Sequence, residues 1–479
     1  MGVFSAFQVA FEFLITGITI LIIVSYISLA IYSAVALRHY IRKNSFVDYN
    51  AILSCTFVPS ISILAPAFNE GKTIIQNVRA LLSLYYNDFE VVVINDGSTD
   101  NTLSNLIEEY DLEISDHFMD YLIPTQDVRA IYKSRNQSFS KLIVIDKNNG
   151  GKADSLNAGI NLARGQLFIA IDVDSIIESD ALLKMVKPFL EEKEKKVIAT
   201  GGVIRVVNDC LVDGGQIAQI NLPKKFLPRV QVLEYTRSFL MGRMAWSKLD
   251  GLLLISGALG LFDRQLVIDC GGYYSKTVGE DMEIVVRMRR YMVETNQPYE
   301  VVYIPDPLCW TEVPENLTIL GRQRNRWTRG MIDTLNIHKR IFMNPKYGRF
   351  GVLGYPYWFL FEWLVHIIEF IGILYFVMVI LFGDPNWSFF GVMFGFIYTF
   401  AVAQSVWSIL FEELTYHKYT KRTDVIKLVF TAFLEPVFYH PFILYWAIRG
   451  NLDYLSGNKS WGVMVRKGFG AMRAFLRSF

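Results

Sequence analysis

Asp172-Val173-Asp174 sets two carboxylates one residue apart, directly after the apolar run Leu167–Ile171. Oxygen donors of that kind suit a hard cation, Mg2+ or Mn2+, shared with a diphosphate. Such a metal would neutralise charge building on a departing phosphate group. A lone Asp-x-Asp is most often just a solvated loop, and its place at the end of a strand-like run is what gives it weight. Gly279-Glu280-Asp281 supplies a second acidic pair, at the start of the helical segment Met282–Arg290. A carboxylate there can cap the helix, or it can act as a general base. Gln323, Arg326 and Trp327 fall at i, i+3 and i+4 of the helical segment Leu317–Leu335, so they share one face. Arg326 can pair with a diphosphate, Trp327 can stack on a ring and Gln323 can hydrogen-bond it. An interfacial helix is the alternative, with Arg322, Arg324 and Arg329 meeting lipid phosphates and Trp327 in an aromatic belt. Both readings can hold on different faces.

Three more clusters carry weaker signals. Asn69-Glu70 and Asn95-Asp96-Gly97-Ser98 each follow a short apolar run, and Glu70 and Asp96 can accept hydrogen bonds from a ribose or a base edge. Asn-Asp-Gly-Ser is also a common turn that caps the next helix. Asn149-Gly150-Gly151-Lys152 opens a helix, where backbone amides and Lys152 suit an anion, although the string is not a P-loop.

The elements that must position these residues alternate. Ser62–Pro66, Glu90–Ile94, Leu142–Ile145 and Leu167–Ile171 read as buried strands, with helical patterns over Lys72–Tyr85, Thr99–Tyr110 and Ala153–Ala163 between them. That order predicts an α/β fold with a doubly wound, mostly parallel sheet, whose ligands bind at the carboxyl ends of the strands. Further on, Arg229–Lys248 predicts an amphipathic helix rich in aromatic and long side chains. Leu252–Phe262 is too short to span a bilayer. Within it, Ser256-Gly257-Ala258 and Gly260 allow either a close approach to a ligand or a buried strand flexed by small residues.

The chain has 479 residues, 52% of them hydrophobic, with a net charge of +1, so no global field argues for nucleic acid. Cys55, Cys210, Cys270 and Cys309 lack metal-ligand spacing and read as unpaired thiols. Phe13–Leu37 carries no charged side chain and is followed by Arg38, His39, Arg42 and Lys43. It is long enough to span a bilayer, and its basic flank places the residues after it in the cytosol. Val352–Phe382, Trp387–Phe411 and Ile426–Ile448 are the later apolar stretches. Glu362, His366, Glu369, Glu435 and His440 lie within them, and either line a water-filled path or sit near the interface. Four spans put the C-terminus outside, whereas Lys459, Arg466, Lys467, Arg473 and Arg477 favour the cytosol. Pro436 and Pro441 can break the last stretch into a re-entrant or interfacial pair.

Taken together, in this order and between apolar ends, the motifs resemble the membrane-bound family-2 glycosyltransferases, which include hyaluronan, chitin, cellulose and poly-N-acetylglucosamine synthases. The resemblance runs from about Pro59 to Arg329 and on into the C-terminal helices. It implies a GT-A-like nucleotide-sugar domain flanked by transmembrane helices, and an inverting, metal-dependent transfer from a UDP-sugar to a growing β-linked polysaccharide. Asp281, beside Glu280, would be the catalytic base. Glu70, Asp96, Lys152 and Asp172 would bind the donor, and Gln323, Arg326 and Trp327 the donor and acceptor. Asp172 and Asp174 would hold Mg2+ or Mn2+, and Ser256-Gly257-Ala258 would pass near the acceptor.

The strings Asn149–Gly159 and Cys309–Glu315 look most like the poly-N-acetylglucosamine and hyaluronan group, which favours N-acetylglucosamine as donor. The expected organisation is a transmembrane helix over 1–43, a cytosolic glycosyltransferase domain with interfacial helices over 44–345, a transmembrane region over 346–450 and a basic amphipathic tail over 451–479. The expected location is the cell (inner) membrane, multi-pass. The expected partners are the UDP-sugar, a saccharide or lipid-linked acceptor and the bilayer, with room for an accessory membrane subunit. Single-sugar transfer to a membrane lipid is the alternative enzyme, and a catalytically idle membrane partner protein the alternative class. The polar stretch Asp111–Phe139, where the family varies in length, offers a partner surface. A cellulose-type C-terminal regulatory barrel is not expected after so short a tail.

Overall fold

The computed structural model describes residues 2–457 apart from Thr56 and Lys193, with side chains from Gln8 onward. The basic residues expected in the tail, Lys459 to Arg477, lie outside the described residues.

The strands are β1 (Ile61–Ala67), β2 (Phe89–Asp96), β3 (Leu112–Ile114), β4 (Val128–Ser134), β5 (Leu142–Lys147), β6 (Leu167–Ile171), β7 (Ile176–Ile177), β8 (Lys196–Val206), β9 (Leu211–Asp213), β10 (Gln216–Gln219), β11 (Leu259–Asp263) and β12 (Tyr299–Thr311). Ten of them form one sheet in the order β3-β4-β5-β2-β1-β6-β11-β8-β12-β7, and β9 and β10 form a separate hairpin. The quartet β5-β2-β1-β6 is parallel throughout. Its side chains are buried on both faces, as continuous Val/Ile runs require. Helices Ile74–Leu82, Thr102–Tyr110 and Lys152–Leu162 cross between these strands. At Gly159 a Cβ would sit 3.1 Å from both Leu64 and Ile94, so the small residue lets its helix close onto the sheet.

Beyond β6 the sheet becomes mixed. β11 runs antiparallel to both β6 and β8, and β12 runs parallel to β8. On the other edge, β3 and β4 add antiparallel strands from within the polar stretch Asp111–Phe139. The predicted amphipathic helix forms as one run over Phe226–Lys248, with a π-helical segment at Thr236–Gly242.

Three helices, Gln8–Asn44, Phe350–Phe382 and Trp387–Thr415, are long and apolar enough to cross a membrane. The pair Arg422–Phe438 and His440–Leu455 is bent by 47° and makes a fourth candidate if counted as one span. Pro441 opens the second helix of that pair, in keeping with the expected break, whereas Pro436 lies inside the first helix. The N-terminal helix, 43 residues long, reaches about 65 Å, twice the hydrocarbon thickness. It packs on the Phe226–Lys248 run, and at its C-terminal end Tyr40 Oη donates to Asp306 on β12 at 2.5 Å while Lys43 pairs at 2.6 Å with Glu191, which caps the Ala181–Leu190 helix. Buried ion pairs join the other apolar helices to the sheet side of the molecule. Arg205 on β8 meets Glu412 at 2.6 Å, and Arg237 forks onto Glu435. His440 and Glu369, expected on a water-filled path or near the interface, lie 3.1 Å apart.

Candidate active site

Because the quartet is parallel, its carboxyl ends open on one edge, and the first motifs collect there. Asn69 adopts φ 57°, and its Oδ1 accepts from Thr99 N at 2.8 Å, which locks the turn after β1 onto the turn after β2. Glu70 accepts from Thr73 Oγ1 at 3.1 Å. Asp96, 4% exposed, has a more crowded setting. Its carboxylate accepts from Gly150 N at 2.9 Å and Gly151 N at 2.8 Å and pairs with Lys147 at 2.7 Å. Lys147 is fully buried and also pairs with Asp154 at 2.6 Å, while donating to Asn148 O at 2.7 Å. Asp96 therefore shapes the glycine loop that presents Lys152, whatever else it binds. Sequence reasoning did not single out Lys147, since nothing in Asp-Lys-Asn-Asn marks the lysine as buried.

Lys152 reaches across the edge to Asp172 at 2.5 Å and donates to Gly257 O at 2.8 Å. Gly257 in turn lies against Asp281, since a Cβ on it would be 2.8 Å from Asp281 Oδ2. The other Asp281 oxygen accepts from Met282 N at 2.9 Å, which fixes the carboxylate at the helix start. Thus Lys152, Asp172, Gly257 and Asp281, up to 129 residues apart in sequence (281 − 152), share one small region. Burial works against the Lys152 charge, but Asp172, Glu280 and Asp281 outweigh it and hold the ammonium above its usual range. Glu280 is also buried. Its carboxyl is pushed up, first by burial and then by the Asp281 charge, against the pull of Lys152 and Arg326.

The helix bearing Gln323, Arg326 and Trp327 spans Leu317–Ile337 and is capped by Asn316, which accepts from Ile319 N at 2.9 Å. It docks on the Glu280–Glu294 helix through bare backbone: a Cβ on Gly279 would be 2.7 Å from Gly330 Cα. That contact puts Arg326 within electrostatic reach of Glu280. Gln323 Oε1 is buried and has no hydrogen-bond partner among the described residues, whereas Trp327 is 40% exposed. Arg324 and Arg329 are buried and bonded to Glu234 and Asn325, so neither reaches lipid phosphates as an interfacial helix would require.

Asp172 and Asp174 follow β6, with Asp174 buried. Among the described residues no group of three or more His, Cys, Asp or Glu could hold an ion. Two oxygen donors without a closed cage fit a hard divalent cation that takes its remaining ligands from a diphosphate and water. The four thiols are all free, and burial pushes those of Cys270 and Cys309 up to about 12.

Several known proteins are similar to this chain. A poly-beta-1,6-N-acetyl-D-glucosamine synthase of Staphylococcus epidermidis is 28% identical over 273 residues, 57% of this chain and 55% of that protein. The chain therefore matches about half the length of that relative. The synthase of the same name from Staphylococcus aureus (strain COL) is 25% identical over 342 residues, 71% of this chain and 68% of its own length. In three dimensions the chain is similar to the mannosyltransferase PcManGT of Pyrobaculum calidifontis, solved with GDP-Man and Mn2+. The TM-score is 0.50 at 16% identity, covering 91% of this chain and 99% of that one, which bears out the GT-A-like fold. The model of the glycosyltransferase like family 2 matches residues 59–330, more than half of the chain, and the protein belongs to that family.

Proposed function

We propose that this glycosyltransferase takes a sugar, N-acetylglucosamine by preference, from a UDP donor and adds it with inversion to a growing β-linked polysaccharide. The observation that carries the reading is the single cluster in which Asp281 abuts Gly257 while Lys152 bridges Gly257 and Asp172. In the proposed step the acceptor hydroxyl oxygen bonds to the anomeric carbon as that carbon's bond to the diphosphate breaks. The hydroxyl proton passes to Asp281, and the bonding pair leaves with UDP. Lys152 and Arg326 supply positive charge beside the departing diphosphate. Mg2+ or Mn2+ bound by Asp172 and Asp174 would add Lewis-acid stabilisation to the same group. A Glu280 carboxyl held above its usual range keeps its proton to higher pH, which lightens repulsion on Asp281. Gln323, with its unpartnered buried oxygen, and the exposed face of Trp327 supply a hydrogen bond and a stacking surface for sugar. Glu70 and Asp96 border the nucleoside end.

The names of the Staphylococcus relatives support the polymer and the N-acetylglucosamine donor. The spans, with basic residues after the first, support a multi-pass protein of the cell membrane, its residues 44–345 in the cytosol.

UDP release by the full chain in nanodiscs, across a panel of UDP-sugars, tests the proposal. UDP-N-acetylglucosamine should support release, a chelator should stop it, and Mg2+ or Mn2+ should restore it, with a polymer as product. Release from another sugar alone overturns the donor assignment, indifference to the chelator overturns the metal, and a single-sugar lipid product overturns the polymer.

A further inference from the structure

One face of Trp327 is backed by the protein. The Arg324 guanidinium lies 4.1 Å from the Trp327 ring centroid. An arginine orients an aromatic ring only if its own donors are fixed, because its stem is otherwise free to turn. Here the two terminal guanidinium nitrogens are fixed. Arg324 is 6% exposed and donates to both Glu234 oxygens, at 2.6 and 2.9 Å, in a forked pair. It also donates to Tyr439 Oη at 3.3 Å, and that hydroxyl donates to Glu234 Oε2 at 2.7 Å.

These residues come from three elements: Glu234 from the Phe226–Lys248 run, Arg324 from the helix of Trp327, and Tyr439 from the break in the bent pair. Tyr439 is the one residue between Phe438 and His440, where the two helices turn by 47°. Its ring is buried with Val230 and Leu320, so the bend is packed against the other two elements as well as bonded to them.

We propose that Tyr439, Glu234 and Arg324 form a positioning relay that sets the Trp327 indole for an acceptor saccharide and so ties acceptor binding to the bend in the C-terminal helix pair. The relay rests on the reading of Trp327 as the acceptor's stacking surface. None of the three relay residues touches the acceptor. Each acts through the next, and Arg324 acts on the indole itself.

Affinities separate this from general fold support. The full chain in nanodiscs is titrated with a short β-linked N-acetylglucosamine oligosaccharide and, separately, with UDP. Tyr439→Phe, which keeps the packed ring, should weaken oligosaccharide binding about fivefold, leaving the UDP affinity and the melting temperature in place. Glu234→Gln, which strands the buried Arg324 charge, should lower the melting temperature and, again with the UDP affinity in place, weaken oligosaccharide binding at least as much. Arg324→Lys, which cannot fork onto Glu234, should weaken it at least as much. Trp327→Ala serves as the reference. If Trp327→Ala weakens oligosaccharide binding while Tyr439→Phe and Glu234→Gln do not, the relay is overturned and the stacking role stands. If Trp327→Ala has no effect, or the unaltered chain does not bind the oligosaccharide, the stacking role falls and the relay with it. Equal losses of UDP and oligosaccharide affinity also overturn the relay, since they would mark simple support of the fold.

Discussion

The half proposed to bind the nucleotide and the half proposed to be catalytic are built by different means. In the first, four parallel strands end on one edge, and each motif inherits its position from the strand before it. The stitching is short-range within that edge: the turns at Asn69 and Thr99, and the Asp96 clamp on Gly150 and Gly151. In the second half no sheet edge does this work. Glu280-Asp281 and the Gln323–Trp327 helix meet through touching glycines. Ion pairs then link the second half to remote elements, among them Arg205–Glu412 and Arg237–Glu435, both with helices that are candidate spans. The lesson is that the motifs of the first half are placed by the sheet, whereas Asp281 and the Gln323–Trp327 helix are placed by the sheet together with the apolar helices.

The comparison can be broken most severely at Lys147. Lys147→Met strands Asp96 and Asp154 without their buried counter-charge, and removal of one partner from such a set costs about 3–5 kcal/mol. A clear fall in melting temperature and weaker UDP binding are expected, and unchanged UDP affinity would contradict the role given to the clamp. The matching change in the catalytic half is Gly330→Ala, which forces a methyl against Val278 and Gly279. Overpacking costs about 1–3 kcal/mol, and the expected signature is loss of transfer with UDP binding retained. Equal loss of both would erase the division between the halves.

Glu280→Gln tests the charge balance. A carboxyl held above its ordinary range binds a proton in the folded state that the unfolded chain has already lost. Its stabilising contribution is therefore complete below the ordinary glutamate value near 4.5 and fades as pH rises through the raised one. Melting temperatures followed upward from pH 4.5 should thus fall more steeply for the unaltered chain than for the variant, and parallel curves would argue against the shift. At the small end, Arg79→Ala removes an exposed pair with Glu109 and should cost less than about 1 kcal/mol without touching transfer.

Much of the first half was legible because buried parallel strands leave unbroken β-branched runs, and all four expected strands form within a residue or two of their predicted limits. β12 escaped sequence reading because Pro305 and Pro307 argue against an interior strand. The strand accommodates them by slipping register against β8 between Ile304, Pro307 and Cys309. β8 escaped for a related reason. Gly201 and Gly202 interrupt its pattern, yet side chains on them would collide with Ile255 and Leu308. β3 and β4 lay hidden in a stretch read as a polar partner surface, because edge strands carry polar residues on their open side. At the site, residue type, spacing and the family resemblance together pointed to the motif residues. The contacts that join them could not, since the Gly279–Gly330 approach and the Glu234–Arg324 pair leave no local pattern.

The central claim is that Asp281 is the base, held against the acceptor loop by Gly257. The direct test is Asp281→Asn, with UDP-sugar turnover and UDP affinity measured on the same preparation. Turnover should fall by about a thousandfold while UDP affinity stays within about twofold, the pattern of a lost proton acceptor at an intact donor site. Turnover near that of the unaltered chain would contradict the assignment of the base.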